Sequence, residues 1–273
     1  MRVPVRPLVA AGLLLTAACA VLPEARRAAP PEVETVRALL LYDEATAETV
    51  RGLARVGFDG PHGSGSVTQA IVIALPDRAR VEALTPLGTT ALVATLRAEE
   101  LRVHSPIRHE YGVGRATRET LARLVMVPVP PALLLRLLAG LPPLPVRAQD
   151  PRLTLASEGP VVRVDTVDGE YWQRLWTGTE DPAVARGEVG RASEVLLTFA
   201  FSDRRPVHGR AFPFVQQVTE PSTGSHLRVQ YEQVVLNAPA ESALFDLPPP
   251  ADPRTRTIEL GGVAPGRSGG MVP

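Results

Sequence analysis

"VTQAIVIALPDRARVEALTPLGTTALVATLRAEELRVHS", residues 67–105, carries the pattern that decides the fold. Val67, Gln69, Ile71, Ile73 and Leu75 fall on one side of an extended chain and Ala70, Val72 and Ala74 on the other, because successive side chains of a strand point to opposite faces. Pro76 and Asp77 are turn residues. Beyond them Arg78, Arg80 and Glu82 alternate with Ala79, Val81 and Ala83; the chain turns at Pro86, Leu87 and Gly88 and returns as "TALVATLRA". After Glu99 and Glu100, "LRVHS" reads as one more strand. Runs joined by such short turns predict an antiparallel meander with unlike faces, one of bulky aliphatics and one of small or polar residues.

The second turn is odd. Backbone requirements explain Gly, Pro, Asn, Asp or Ser in a turn, and they do not explain Leu87. Two readings stand: its tip meets an apolar environment, or it folds back onto neighbouring helices. A single surface leucine requires no function of its own.

Working outward, Val36, Leu39, Leu40 and Tyr42 recur at helical spacing between Val33 and Glu48, and "LARVGFDG" reads as a strand. "TRETLARLV" places Leu121, Leu124 and Val125 on one helical face, with Thr117 as N-cap. "PPALLLRLLAGLPP" begins with Pro131 in its first turn and ends at Gly140. Leucines 133, 134, 135, 137 and 138 go most of the way round that helix, which must be covered on more than one side. The second half returns to strands in "RLTLAS", "VVRVDTVD", "EYWQRLW", "SEVLLTFAFS", "FPFVQQVTEP" and "HLRVQYEQVVLN". The expectation is an α+β fold, a curved antiparallel sheet with helices in the middle of the chain.

Composition limits the chemistry. The chain has 273 residues, 45% of them hydrophobic, with 29 basic and 29 acidic side chains, so it can bury a large core and has no basic field for nucleic acid. It contains no lysine, which removes Schiff-base, Walker and Ser-Lys mechanisms. The histidines, 62, 104, 109, 208 and 226, lack metal-ligand spacing, and "GPHGSGS" has no lysine to make it a phosphate loop. There is no G-x-S-x-G elbow. Asp165, Asp168, Glu170, Glu180 and Asp181 read as solvated turns. No catalytic set, metal site or cofactor is expected, and a hydrolase would need a serine or aspartate beside a histidine.

Residues 1–18 read as a signal peptide, with Arg2 and Arg6 ahead of a short apolar run. "LTAAC" resembles a bacterial lipobox in which Cys19, the sole cysteine, is lipid-modified; ordinary cleavage at an A-x-A-type site is the rival reading. Residues 19–31 suit a Pro/Ala-rich tether, 32–250 a folded domain and 251–273 a disordered Pro/Gly-rich tail.

"RVEALTPLGTTALVA" followed by "YGVGRATRETLARLVMVPVPPALLLRLLAGLPP" resembles the lipoprotein receptor LolB and the LolB-related lipoproteins of the LolA/LolB superfamily. The shared marks are "PLG" plus a small hydroxyl residue between two strands, a helix, and a P-x-P entry to a leucine-rich helix ending in "GLP". The likeness runs from about Leu53 to Pro143, and the second half looks more like the LolB-related group or the LolA side. The resemblance implies an incomplete antiparallel β-barrel, a half-barrel whose open side is covered by helices, around an apolar cavity for acyl chains. It implies that the Pro86-Leu87-Gly88 loop contacts membrane or cargo. Ile71, Ile73, Leu92, Leu96, Leu134 and Leu138 would line the cavity, or else simply fill a core; Trp172 and Trp176, four apart in a strand, share one face and would line the cavity or pack the core. The partners implied are acylated lipoproteins or lipids, a LolA-like periplasmic carrier and the outer membrane, with the protein a lipid-anchored monomer facing the periplasm. The alternative is a structural or adaptor lipoprotein of an envelope assembly.

Overall fold

The alternation of residues 67–105 is realised as strands. A computed structural model describes residues 31–61, 63–125, 127–150 and 152–261. The signal peptide, Cys19 with its lipidation, the tether apart from Pro31, and His62 lie outside the described residues.

Helix α1 (Val33–Thr46) buries only Val36 and Leu40. A meander follows: β1 (Thr49–Gly60), β2 (Gly63–Ala74), β3 (Arg78–Leu84), β4 (Thr90–Arg97), β5 (Glu100–Ser105) and β6 (Glu110–Arg115). Next come α2 (Arg118–Val125) and α3 (Pro131–Leu138). A second meander comprises β7 (Thr154–Glu158), β8 (Val161–Asp168), β9 (Tyr171–Thr177), β10 (Val184–Arg191), β11 (Glu194–Val207), β12 (Arg210–Glu220) and β13 (Ser225–Leu236). A 3-10 turn (Ser242–Phe245) and β14 (Arg256–Leu260) end the described chain.

All the strands join one open sheet in the order β14-β6-β5-β4-β3-β2-β1-β13-β12-β11-β10-β9-β8-β7. β1 pairing with β13 joins the two meanders, Val56 facing Val229. Every pairing is antiparallel except β14 with β6. That strand corrects the expectation of a disordered tail from residue 251: Arg256–Leu260 pairs with Glu110–Gly114, and Gly112 and Gly114 leave the room that Leu260 occupies.

The sheet is strongly bent. Arg118, at the start of α2, lies 3.9 Å from Glu220 at the end of β12, although β5, β4, β3, β2, β1 and β13 separate β6 from β12. In a flat sheet, strand spacing alone would put those strands roughly 30 Å apart.

The helices start where their sequences direct. Thr117 N donates to Thr120 Oγ1 at 2.7 Å and Thr120 N to Thr117 Oγ1 at 3.2 Å, a reciprocal cap on α2. Pro131 occupies the first turn of α3, and Leu133, Leu134, Leu135 and Leu137 are buried, so the leucines do cover more than one side. Polar contacts hold α3 to α1 and to the sheet. Arg136 of α3 makes two hydrogen bonds to the Glu44 carboxylate, at 3.0 and 2.6 Å, and Gln216 and Tyr231 donate to Leu138 O. No helix among the described residues is long and apolar enough to cross a membrane.

Candidate functional site: an apolar cavity beneath two helices

The face of β2 and β3 chosen by alternation is the face that α2 and α3 cover. Ile71 pairs with Val81 and Val81 with Ala94, which sets a row of aliphatic side chains across three strands. Between this face and the helices lies a cavity of ≈ 130 Å³, with walls from β1 to β5, β13, α2 and α3. Leu121 and Leu124 reach it from α2, and Leu134, Leu135 and Leu138 from α3. Ile71, Ile73, Leu92, Leu96, Leu134 and Leu138 all line it.

The lining carries no charged side chain, and its polar groups are those of Gln69 and Thr95. Water needs two or more polar partners to occupy a cavity, so this one favours hydrocarbon, and an apolar cavity of about 150 Å³ admits a molecule the size of benzene. This volume is thus enough for a short apolar segment. A whole acyl chain needs space nearer the several hundred Å³ of ordinary ligand pockets, more than this volume supplies.

The cavity is more open at one end. Phe58, Val67, Gln69 and Leu92, toward the β1–β2 and β3–β4 turns, are half-buried, whereas Ile73, Ala79, Leu96 and Leu101 at the other end of the strands are buried or nearly so. Leu87 projects from the turn just beyond Leu92. It is 92% exposed, so it does not fold back onto the helices. The turn is fastened beneath it: Thr85 N donates to Thr89 O and Gly88 N to Thr85 O, both at 2.8 Å, and the two threonine hydroxyls are 2.8 Å apart. Gly88 has φ 79°, the left-handed conformation that favours glycine. A stiff turn therefore holds an aliphatic side chain out in water.

Trp172 and Trp176 do not line this cavity. The buried face of β9 belongs to Gln173, Leu175 and Thr177, which places both tryptophans on the opposite face. Trp172 Nε1 donates to Ala192 O at 2.8 Å, its ring lying where a side chain at Gly190 would be. Trp176 stacks under the Arg186 guanidinium at 4.2 Å. Asp165 sits within β8 rather than in a turn and accepts from Arg163 and Arg174 at 2.7 and 2.9 Å. Asp168, Glu170 and Asp181 pair with Arg147, Arg191 and Arg204, so these acidic residues are distributed among arginines. Among the described residues no group of three or more histidine or acidic side chains is placed to hold a metal ion.

No protein-family model and no curated protein sequence matches the chain. Solved structures do match its fold. It is similar to a LolA superfamily protein from Nitrosomonas europaea, with TM-score 0.53 and 13% identity over 78% of this chain and 97% of that one. It is similar to a domain named for outer membrane lipoprotein sorting from Vibrio parahaemolyticus, with TM-score 0.52 and 12% identity over 79% and 97%. A DUF1329 family protein from Desulfovibrio piger matches with TM-score 0.50 and 10% identity over 80% and 98%. The chain therefore shares the overall fold of these proteins.

Proposed function

We propose that this protein is a lipid-anchored periplasmic binding protein that takes acyl chains of lipoproteins, or of other lipids, into the cavity beneath α2 and α3 and helps deliver them to the outer membrane. The observation that carries the reading is the lining, aliphatic on every wall and free of charge. On this reading the bent sheet is an incomplete barrel whose open side α2 and α3 cover, closed when empty and opened by an entering chain. The protein is a monomeric carrier or receptor and not an enzyme. Each methylene leaving water contributes about 0.8 kcal/mol, and a chain passing from one apolar site to another keeps that contribution throughout, so neither nucleotide nor metal is required. Pro86, Leu87 and Gly88 form the tip that meets membrane or cargo. Cys19 supplies the anchor, and a LolA-like carrier supplies the cargo.

The test is delivery of a triacylated lipoprotein from the full chain to vesicles, with Leu87→Glu as the variant. The reading predicts delivery by the wild type and impaired delivery by the variant, with the fold retained. No delivery by either protein, and no lipid on the purified chain, would favour the adaptor reading, for which the small volume of ≈ 130 Å³ is the supporting observation. Palmitate label lost in Cys19→Ala and present in the wild type tests the anchor separately.

A further inference from the structure

Among the described residues, the strongly exposed large hydrophobic side chains are Tyr42, Leu87, Ile107 and Val235, at 48, 92, 63 and 44%. Leu87 and Ile107 share a location. The β3–β4 and β5–β6 turns lie at the same end of the meander, because β4 runs away from that end and β5 returns to it. They leave the sheet at the same height: Ser105 Oγ at the end of β5 donates to Ala91 O at the start of β4, 3.3 Å away. Laterally they are two strand spacings apart, roughly 10 Å. The Ile107 turn is fastened much like the Leu87 turn, with Arg108 N donating to Ser105 Oγ and His109 N to Pro106 O, both at 3.4 Å.

We propose that Ile107 is a second bilayer-contacting tip, and that Leu87 and Ile107 together seat this corner of the sheet on a lipid surface. The inference rests on the reading of Leu87 given above and extends it to a second turn and a defined orientation. Thr85, Pro86, Gly88 and Thr89 surround Leu87, and Pro106, Arg108 and His109 surround Ile107, so neither tip is extended by a further large exposed apolar side chain. A stable protein interface buries on the order of 800 Å² on each partner around an apolar centre, which two separated tips do not supply. A bilayer interface accepts apolar side chains one at a time while turn backbone and hydroxyls stay among the headgroups. Two tips on one stiff edge reinforce each other, since the first to insert raises the effective concentration of the second. The half-buried lining residues Phe58, Val67 and Leu92 lie toward this same end, so a chain leaving the cavity emerges beside the lipid. The β1–β2 turn, also at this end, carries Gly60, Pro61 and Gly63 and adds no large apolar tip.

The experiment places a reporter tryptophan at one position at a time, Leu87→Trp, Ile107→Trp and Val235→Trp, in the full chain on vesicles of phosphatidylethanolamine and phosphatidylglycerol with or without brominated acyl chains. Val235 is the control, exposed and apolar but at the opposite end of the sheet, next to Leu236, which pairs with Val50. Emission is compared with that of the wild type, whose own tryptophans give the background. Blue-shifted emission and bromine quenching at 87 and 107, with neither at 235, are expected, as is weaker quenching of Leu87→Trp when Ile107→Asp is added. Quenching at 87 with 107 behaving like 235 overturns the second tip and leaves the Leu87 reading intact. Quenching at neither tip overturns both, and equal quenching at all three positions overturns an oriented contact.

Discussion

Asp43 of α1 and Arg210 of β12 meet away from water, Oδ1 3.3 Å from Nε, in an ion contact that is not aligned as a hydrogen bond. The same guanidinium donates through Nη2 to the carbonyls of Ala139 and Gly140, at 3.1 and 3.0 Å, where α3 ends. One buried side chain thus ties α1, the end of α3 and the sheet together. If α2 and α3 move off the sheet for an acyl chain, this end of α3 is the part that stays.

Arg210→Met removes the charge opposite Asp43 and the donors to two helix-terminal carbonyls. Breaking a buried ion pair from one side costs about 3–5 kcal/mol. Urea denaturation should show a loss of that order, with part of it recovered in Asp43→Asn/Arg210→Met, where no lone charge remains.

Asp43 also sets a pH dependence. Burial pushes its carboxyl above the ordinary range, outweighing Arg210 and Arg204, which act to lower it. The folded state then holds the proton more tightly than the unfolded state does. The contribution of this group is most favourable below the ordinary value of about 3.9 and is lost as pH rises through the folded value. The stability of the wild type minus that of Asp43→Asn, measured by urea denaturation at successive pH values, should fall as pH rises from about 4. A difference that grows with pH would mean that Arg210 dominates the site.

Gly114→Val places a side chain on the backbone of Leu260, whose Cβ is 2.7 Å from where a Cβ at this position would be. Because β14 is an edge strand with no buried residue, its loss should leave the domain folded. Hydrogen exchange should then speed up across Arg256–Leu260 and at the edge of β6 while β1–β4 remain protected.

Much of the cavity was legible in the sequence, because the alternation in β2 and β3 and the leucine spacing in α3 each identify a face, and the two faces meet around Ile71 and Leu134. Three strands escaped the reading. β6, "EYGVGR", and β10, "VARGEVGR", carry glycines where β-branched residues would have announced a strand. Those glycines admit Leu260 to β6 and Phe199 and Trp172 to β10, and glycine within alternating residues was the available signal of close approach. β14 is short and exposed, and its partner lies far away in sequence. Trp172 and Trp176 do share a face, as their spacing requires, but periodicity states which residues go together and not which side the core lies on.

Two cavity substitutions should separate packing from uptake. Leu134→Ala removes a buried wall and should cost about 2–5 kcal/mol, seen in urea denaturation. Ala94→Phe adds a ring to a half-buried wall, and its effect on stability should stay within about 1–3 kcal/mol because the added bulk has space to enter.

The most direct measurement is native mass spectrometry of the full chain mixed with a triacylated lipopeptide, wild type against Ala94→Phe. An acyl cavity beneath α2 and α3 predicts a one-to-one adduct with the wild type and its loss in the variant while the variant stays folded. No adduct with the wild type, or an adduct that Ala94→Phe leaves unchanged, would contradict it.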